Sequence, residues 1–349
     1  TINERELLKI MNLTLSVVDQ SPMRLGGTSA DALSESVKLA QIVEKLGYER
    51  YWVAEHHNSS SFSGTSPEIL VGQIAAKTNS IRVGSGGVML SHYSSLKIAE
   101  QFSVLNSFYP NRIDLGIGRA PGSDRKTAAA LSYPKTQPNS DTFPQQIIDL
   151  INYLSEDTAD STHPFADIKI QSGTTSKTQP KIWLLGSSDY SAKLAAILGL
   201  PFCFADFFGD LQHGPLVSEI YQSNFKPSKD YDSPKFSVAV QALCAPTEEQ
   251  CEYIASSRNI NKASSVMKYD NQGLLPPEQA SKFPLTDQAK NFMEQFTKGY
   301  VDGNPDQVKE KLLQVSEKYK TKDIGIVTNC YSFEDRVNSY RLIAELNNK

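Results

Sequence analysis

Along the chain, short unbroken apolar runs alternate with longer stretches in which apolar residues recur every three or four positions. The first pattern predicts buried strands and the second predicts helices with one covered face. Strands are expected over residues 13–18, 51–54, 81–84, 113–117, 181–185, 202–205, 236–243 and 323–327. Helices are expected over 32–46, 67–78, 96–108, 143–154, 191–198, 305–319 and 333–346. The helix at 67–78 starts with Ser66 as N-cap, Pro67 in the first helical position and Glu68 in the first turn. Gly47 closes the helix at 32–46.

Eight strands, each followed by a helix or an excursion, is the count of an α/β fold of the (β/α)8 TIM-barrel type. A doubly wound sheet is the competitor, but it seldom needs so many strands without a dinucleotide fingerprint. Extra length falls at 120–142, after the fourth strand, and at 245–303, after the seventh. The second insertion includes a proline-marked stretch at 274–284. Both would emerge at the C-terminal face, where such barrels keep their active sites. A single barrel domain over 12–349 is therefore expected, preceded by an N-terminal extension over 1–11.

Composition narrows the class without naming an activity. At 349 residues, 39% hydrophobic and 21% charged, the chain reads as an ordinary soluble globular protein. A net charge of −4 gives no reason to expect nucleic acid or an anionic membrane surface. Cys203, Cys244, Cys251 and Cys330 show no C-x-x-C pairing and read as reduced, buried thiols of a cytoplasmic protein. No apolar run approaches the ~20 residues that span a bilayer, and the N-terminus has no signal-peptide core.

Four segments carry candidate chemistry. In Trp52-Val53-Ala54-Glu55-His56-His57 an apolar run ends in adjacent histidines. Strand side chains alternate between faces, so one histidine can enter a cavity while the other packs elsewhere. A strand-end histidine serves as an acid–base or polarising group, or as a plain capping residue. Metal binding is the poorer reading, because His92, His163 and His213 offer no ligand spacing with this pair.

The second segment, Val83-Gly84-Ser85-Gly86-Gly87-Val88-Met89-Leu90, places glycines at a strand end. Such glycines let backbone approach a planar ligand, or simply make a tight turn. The third, from Arg112 to Gly122, has the spacing G-x-G-x-x-x-G followed by Pro121 and Gly122, which fails the dinucleotide pattern. Arg119 there either holds a phosphate or carboxylate or lies on the surface. The fourth, Leu184-Leu185-Gly186-Ser187-Ser188-Asp189-Tyr190-Ser191-Ala192, runs from strand through glycine and serines into a helix beginning near Ser191. Its backbone N–H groups and hydroxyls suit an anion at a helix N-terminus, or ordinary serine capping.

Together these segments resemble the bacterial luciferase-like monooxygenase family, in particular its small bacterial flavin-dependent oxidoreductases. The matching signatures are W-V-A-E-H-H-N, R-V-G-S-G-G-V-M-L, A-E-Q-F, N-R-I-D-L-G-I-G-R-A-P-G, L-L-G-S-S-x-x-S-A and L-G-L-P-F-x-F-A. They recur in family order at family spacing, from about Asn12 to Leu346. Three departures stand out. Asn111 replaces a glycine, Ser91 and Ser95 replace prolines of close relatives, and Gly186 replaces a glutamate of luciferases proper. Light emission with a long-chain aldehyde is therefore not implied.

The resemblance implies a TIM-type barrel that binds FMN, or less often deazaflavin F420, at its C-terminal end. It implies that His56 is the catalytic histidine and that Gly86-Gly87 matches a non-proline cis peptide lying against the flavin ring. Arg119, Ser187 and Ser191 match positions that contact the flavin phosphate, with Gly186 beside them. It further implies reduced FMN as cosubstrate, O2, a small organic substrate, a separate flavin reductase and a homodimer. An F420-dependent oxidoreductase and a non-catalytic flavin-binding protein are the alternatives.

Overall fold

The computed structural model describes residues 11–120, 122–134, 140–155, 163–170, 179–209, 213–267 and 273–347. Residues 1–10, Pro121 and part of the insertion at 120–142 lie outside the described residues. The strands are β1 (Thr14–Asp19), β2 (Arg50–Val53), β3 (Arg82–Met89), β4 (Ile113–Gly118), β5 (Lys181–Gly186), β6 (Phe202–Ala205), β7 (Phe236–Cys244), β8 (Val301–Gly303) and β9 (Asp323–Val327). Eight of them close a parallel barrel in the order β1-β2-β3-β4-β5-β6-β7-β9, with β9 returning to β1. The short β8 pairs only with the upper end of β7, through Ala242–Cys244.

The principal helices are α1 (Ser29–Lys45), α2 (Pro67–Lys77), α3 (Ser95–Phe108), α4 (Arg125–Ser132), α5 (Phe143–Leu154) and α6 (Asp189–Ile197). They continue with α7 (Gly214–Asn224), α8 (Glu248–Met267), α9 (Pro277–Ala280), α10 (Asp287–Thr297), α11 (Pro305–Tyr319) and α12 (Phe333–Asn347). Strands covered on both faces read as continuous apolar runs, and all nine residues of β7 are buried. Thr28 and Asn304 start α1 and α11 with capping boxes. Ser66 does not cap α2 through its side chain, against expectation; Pro67 nonetheless occupies the first turn.

Inside the barrel, Val18, Trp52, Trp183, Cys203, Ala239 and Val327 form one packed layer. The two tryptophans meet edge to face with centroids 5.2 Å apart. Below them Arg50 lies 5.1 Å from the Trp52 ring and 5.0 Å from the Trp183 ring, and pairs with Asp323. Trp52 donates from Nε1 to Asp114, which also pairs with Arg82. Room for this filling comes from glycine: a Cβ on Gly84 would lie 2.4 Å from the Asp114 carbonyl oxygen.

The third strand departs most from expectation. It was expected to end at 84, with Gly86 and Gly87 beyond the strand end, yet it runs through them to Met89. The pairing with β4 shifts register between Ser85 and Val88, so the glycines lie within the sheet at an irregularity. The insertion after β7 contains the 20-residue helix α8, together with α9, α10 and β8. All four cysteines are free and buried.

Candidate functional site

The end of β2 is held by three successive backbone bonds to three different segments. Ala54 N–H donates to Asp19, His56 N–H to Gly64 at 2.8 Å, and His57 N–H to Gly122 at 3.1 Å. This fixes the alternation: Ala54 and His56 share the inward parity of Trp52, while Glu55 shares the outward parity of Val53. The Glu55 carboxylate is 1% exposed in its side chain. It accepts from Met89 N–H at 2.9 Å and from the Tyr93 hydroxyl at 2.7 Å, and it lies 2.7 Å from Nε2 of His57. It thereby ties the end of β2 to the end of β3.

His56 has a different environment. Its ring packs against Phe62 with centroids 4.9 Å apart. Its Nδ1 is buried and has no hydrogen-bond partner among the described residues. Burial pulls its pKa down to about 4; the neighbouring His57 adds to the drop and Glu55 opposes it. At neutral pH it is therefore an uncharged imidazole.

Both histidines line a cavity of about 660 Å³ at the C-terminal mouth of the barrel. Insertions after β4 and β7 supply its walls, through Gly122, Ser123 and Asp124 on one side and Arg258, Lys262 and Val266 of α8 on another. Asp124 caps α4 by accepting from the N–H groups of Lys126 and Thr127, and it also accepts from Asn58 at 3.2 Å. These bonds, the Thr127 hydroxyl foremost, hold its carboxyl well below the usual range. Ser61 donates to Asn261 at 2.9 Å and so joins the loop after β2 to α8.

The glycine, arginine and serine candidates gather on β3, β4 and β5. The Gly86–Gly87 peptide bond is cis. Gly86 sits over the Trp52 layer, where an added Cβ would come 3.0 Å from the Trp52 Cβ. Arg119, just past β4, lies 4.5 Å over the ring of Tyr190 in the first turn of α6. That helix begins two residues earlier than expected: Ser188 is its N-cap, accepting from the Ser191 N–H, and its hydroxyl lies 3.4 Å from the Ser191 hydroxyl. Gly186 makes this possible, because a Cβ there would lie 2.6 Å from Ser191 Oγ. The Ser187 carbonyl lies 3.1 Å from Nε2 of His213. The structure thus brings Arg119 to the α6 N-terminus that carries Ser187 and Ser191, and places His56 in the neighbouring cavity.

Sequence reasoning missed Gln20, Gln241, Asn329, Arg258 and Lys262, all of which line that cavity. Parity could have found three of them. Gln20, Gln241 and Asn329 each stand two residues beyond an inward-facing residue of the tryptophan layer, namely Val18, Ala239 and Val327. A polar residue in that register at a barrel strand's C-terminal end reads as a site residue. Arg258 and Lys262 sit on α8, and no local pattern distinguishes them from solvated helix positions. Among the described residues no cluster of three or more His, Cys, Asp or Glu could hold a metal ion, and no helix is long and apolar enough to cross a membrane.

A family model described as luciferase-like monooxygenase matches residues 11–320. The Bacillus subtilis protein YwcH is 42% identical over 95% of this chain and 98% of its own. N-acetyl-S-alkylcysteine monooxygenase of the same organism is 35% identical, again over 95% and 98%. Among solved structures, apo-MsnO8 superposes with a TM-score of 0.87 at 37% identity, covering 96% of this chain and 98% of that one. The oxygenating constituent of Pseudomonas putida 3,6-diketocamphane monooxygenase, solved with FMN, shares the fold at 16% identity and a TM-score of 0.72, over 97% and 98%. With a family match across most of its length and relatives of this identity over nearly the whole of it, the chain belongs to the luciferase-like monooxygenase family.

Proposed function

We propose that this protein is a two-component flavin monooxygenase that uses reduced FMN and O2 to oxygenate a small organic substrate. The observation that carries the reading is His56: a largely buried, neutral imidazole on the inward parity of β2 that lines the mouth cavity, with a buried Nδ1 that has no partner among the described residues. An acid–base group for oxygen chemistry needs a nitrogen that the protein has not already engaged and a pKa below working pH.

The chain's residues fit a flavin mononucleotide. Arg119 and the α6 N-terminus, with Ser187 and Ser191, would hold the phosphate by charge and by N–H and O–H donation. Gly186 serves that end by admitting Ser191. Gly86 and Gly87 would let the backbone of β3 lie against the flavin ring while it packs on Trp52 and on the Gly116 backbone, where a Cβ on either glycine would clash. When bound, reduced FMN supplies two electrons and the position at which O2 is activated. His56 would hold or move a proton at Nδ1, and the cavity walls built by α8 and the loop after β4 would exclude water. FMN is favoured over F420 because one relative, at 35% identity over 95% of this chain, is named a monooxygenase.

The remaining parts of the proposal follow from this core. A separate reductase would deliver the reduced flavin. The four free, buried cysteines suit a reducing cytoplasm. Residues 12–349 are taken as one barrel domain after an extension over 1–11. A homodimer is assigned to the α2/α3 face, where Ile69, Val104 and Phe108 are 65%, 52% and 73% exposed.

Oxygen uptake by the purified protein with chemically reduced FMN tests the reading, with N-acylated, S-alkylated amino acids first among the substrates, since one relative is named for N-acetyl-S-alkylcysteines. Substrate-dependent uptake with an oxygenated product is expected. FMN binding with uptake no faster than that of free reduced flavin, whatever the substrate, would leave a flavin-binding protein instead.

A further inference from the structure

The barrel mouth has two opposed walls. In the closed order β1-β2-β3-β4-β5-β6-β7-β9, the strands β7, β9 and β1 stand across from β3, β4 and β5. The residues assigned to the cofactor, Gly86, Gly87, Arg119 and Ser187, are all on or just past β3 to β5. The facing wall carries three neutral amides, Gln20, Gln241 and Asn329, one from each strand or its continuation.

Two of these amides have unmet hydrogen-bonding capacity. Gln241 is 4% exposed and Asn329 is 5% exposed. The Gln241 Nε2 donor and the Asn329 Oδ1 acceptor have no partner among the described residues. The orientation of Asn329 is set by its Nδ2, which donates to Gln20 Oε1 at 2.6 Å. Gln241 pairs in register with Val327, so Asn329 is the next inward-facing position on the adjacent strand. A buried donor and a buried acceptor thus stand on adjacent strands of one cavity wall, one inward-facing step apart. Leaving both unmet is unfavourable, and a ligand that meets both gains selectivity over one that cannot.

We propose that Gln241 and Asn329 form a substrate subsite that reads a C=O group beside an N–H group, the edge of a carboxamide, lactam or imide. The assignment rests on the monooxygenase reading only in calling the occupant the substrate. Gln241 donates to the carbonyl and Asn329 accepts from the N–H. An extended secondary amide presents those groups in opposite directions and satisfies only one of the pair. The flavin's pyrimidine rim has the same edge chemistry, but the cofactor residues stand on the opposite wall, so substrate is the occupant the placement favours.

Ligand-observed NMR titration of the full chain with γ-butyrolactam, N-methyl-γ-butyrolactam and cyclopentanone tests this, because the second and third probes lack the N–H. The lactam should bind about tenfold or more tightly than either. Gln241→Leu and Asn329→Leu should each erase that preference while far-UV circular dichroism stays native. Gln241→Glu, which keeps the volume but replaces the donor with an acceptor, covers the case in which a leucine variant does not fold. Equal binding of the three probes by the wild type, or no lactam binding at its highest soluble concentration, overturns the subsite. A preference that survives in the folded variants does the same. A parallel FMN titration separates the two proposals. Competition between FMN and the lactam would assign the amides to the flavin rim and overturn the substrate subsite. Failure of FMN to bind, with lactam preference intact, would overturn the flavin reading alone.

Discussion

Oε1 of Glu55 lies 2.7 Å from Nε2 of His57, and neighbouring His56 makes no such contact. The pairing gives two adjacent histidines different environments: His57 is part of the buried Glu55–Tyr93–Met89 junction, whereas His56 faces the cavity with a nitrogen to offer. His56→Ala should lower turnover by about 10²–10⁴-fold, the usual worth of a positioned acid–base group, and leave FMN affinity nearly unchanged. His57→Ala should act mainly on stability, by about 1–3 kcal/mol, because it removes one partner of a buried carboxylate. Steady-state oxygen uptake and chemical denaturation of both variants decide the matter; a crippling His57 variant beside a near-normal His56 variant would exchange the two roles.

Arg119 and Tyr190 stack where β4 ends and α6 begins, which places a permanent cation at a helix's positive end. A phosphate bound there would meet the guanidinium and the helix's N–H groups together. Arg119→Ala should therefore weaken FMN binding by about 1–3 kcal/mol, the scale of charge-assisted hydrogen bonds, with riboflavin binding far less affected because it has no phosphate. Fluorescence-quenching titrations with both flavins measure the difference. Equal losses for the two would detach Arg119 from the phosphate.

Much of the barrel was legible because its strands announce themselves. Covered on both faces, β7 and β9 appear as mostly apolar runs, and Pro67, Pro305 and Phe143 mark where α2, α11 and α5 start. The end of β3 was placed too early, at Gly84, because glycine's local preference for turns is overridden by the close approach of β4 and the tryptophan layer. Five helices, α4, α7, α8, α9 and α10, went unassigned individually; in the long α7 and α8 many polar positions weaken the helical period, and tertiary contacts fix their place. Site residues on strand ends were readable by parity, as with His56, whereas Arg258 needed the fold. Its guanidinium pairs with Asp302, 44 positions away on β8, a strand of three residues that no periodicity reveals.

Val104 and Phe108 are one helical turn apart on α3, and Ile69 projects from the adjoining α2. An apolar face of this kind on neighbouring helices suits an isologous contact between two copies. Light scattering at micromolar concentration should give twice the chain mass, with roughly 1,600 Å² or more buried in total. Phe108→Glu should shift it to the single-chain mass without unfolding it. A wild-type protein that scatters as a single chain would leave these side chains without the assigned partner.

The depressed pKa of His56 makes a signed prediction about stability. In the unfolded chain the imidazole titrates at its ordinary 6.5, whereas burial, aided by His57 and opposed by Glu55, brings it to about 4 in the folded protein. Between those two values the unfolded chain binds a proton that the folded chain does not, so stability must fall as pH falls through that window. The stabilisation is fully present above pH 6.5 and lost as pH approaches 4, a change of roughly 3 kcal/mol for a shift of this size. Carboxylates titrate in the same region, but they are common to wild type and His56→Gln and cancel in the difference. Urea denaturation of the two proteins at several pH values should therefore show a gap in unfolding free energy that changes in this window, with the wild type losing more on acidification. Turnover should show no inflection near 6.5 attributable to His56, because the imidazole is already neutral there. A stability gap independent of pH would mean that the ring is solvated, and the case for a dry acid–base group in the cavity would go with it.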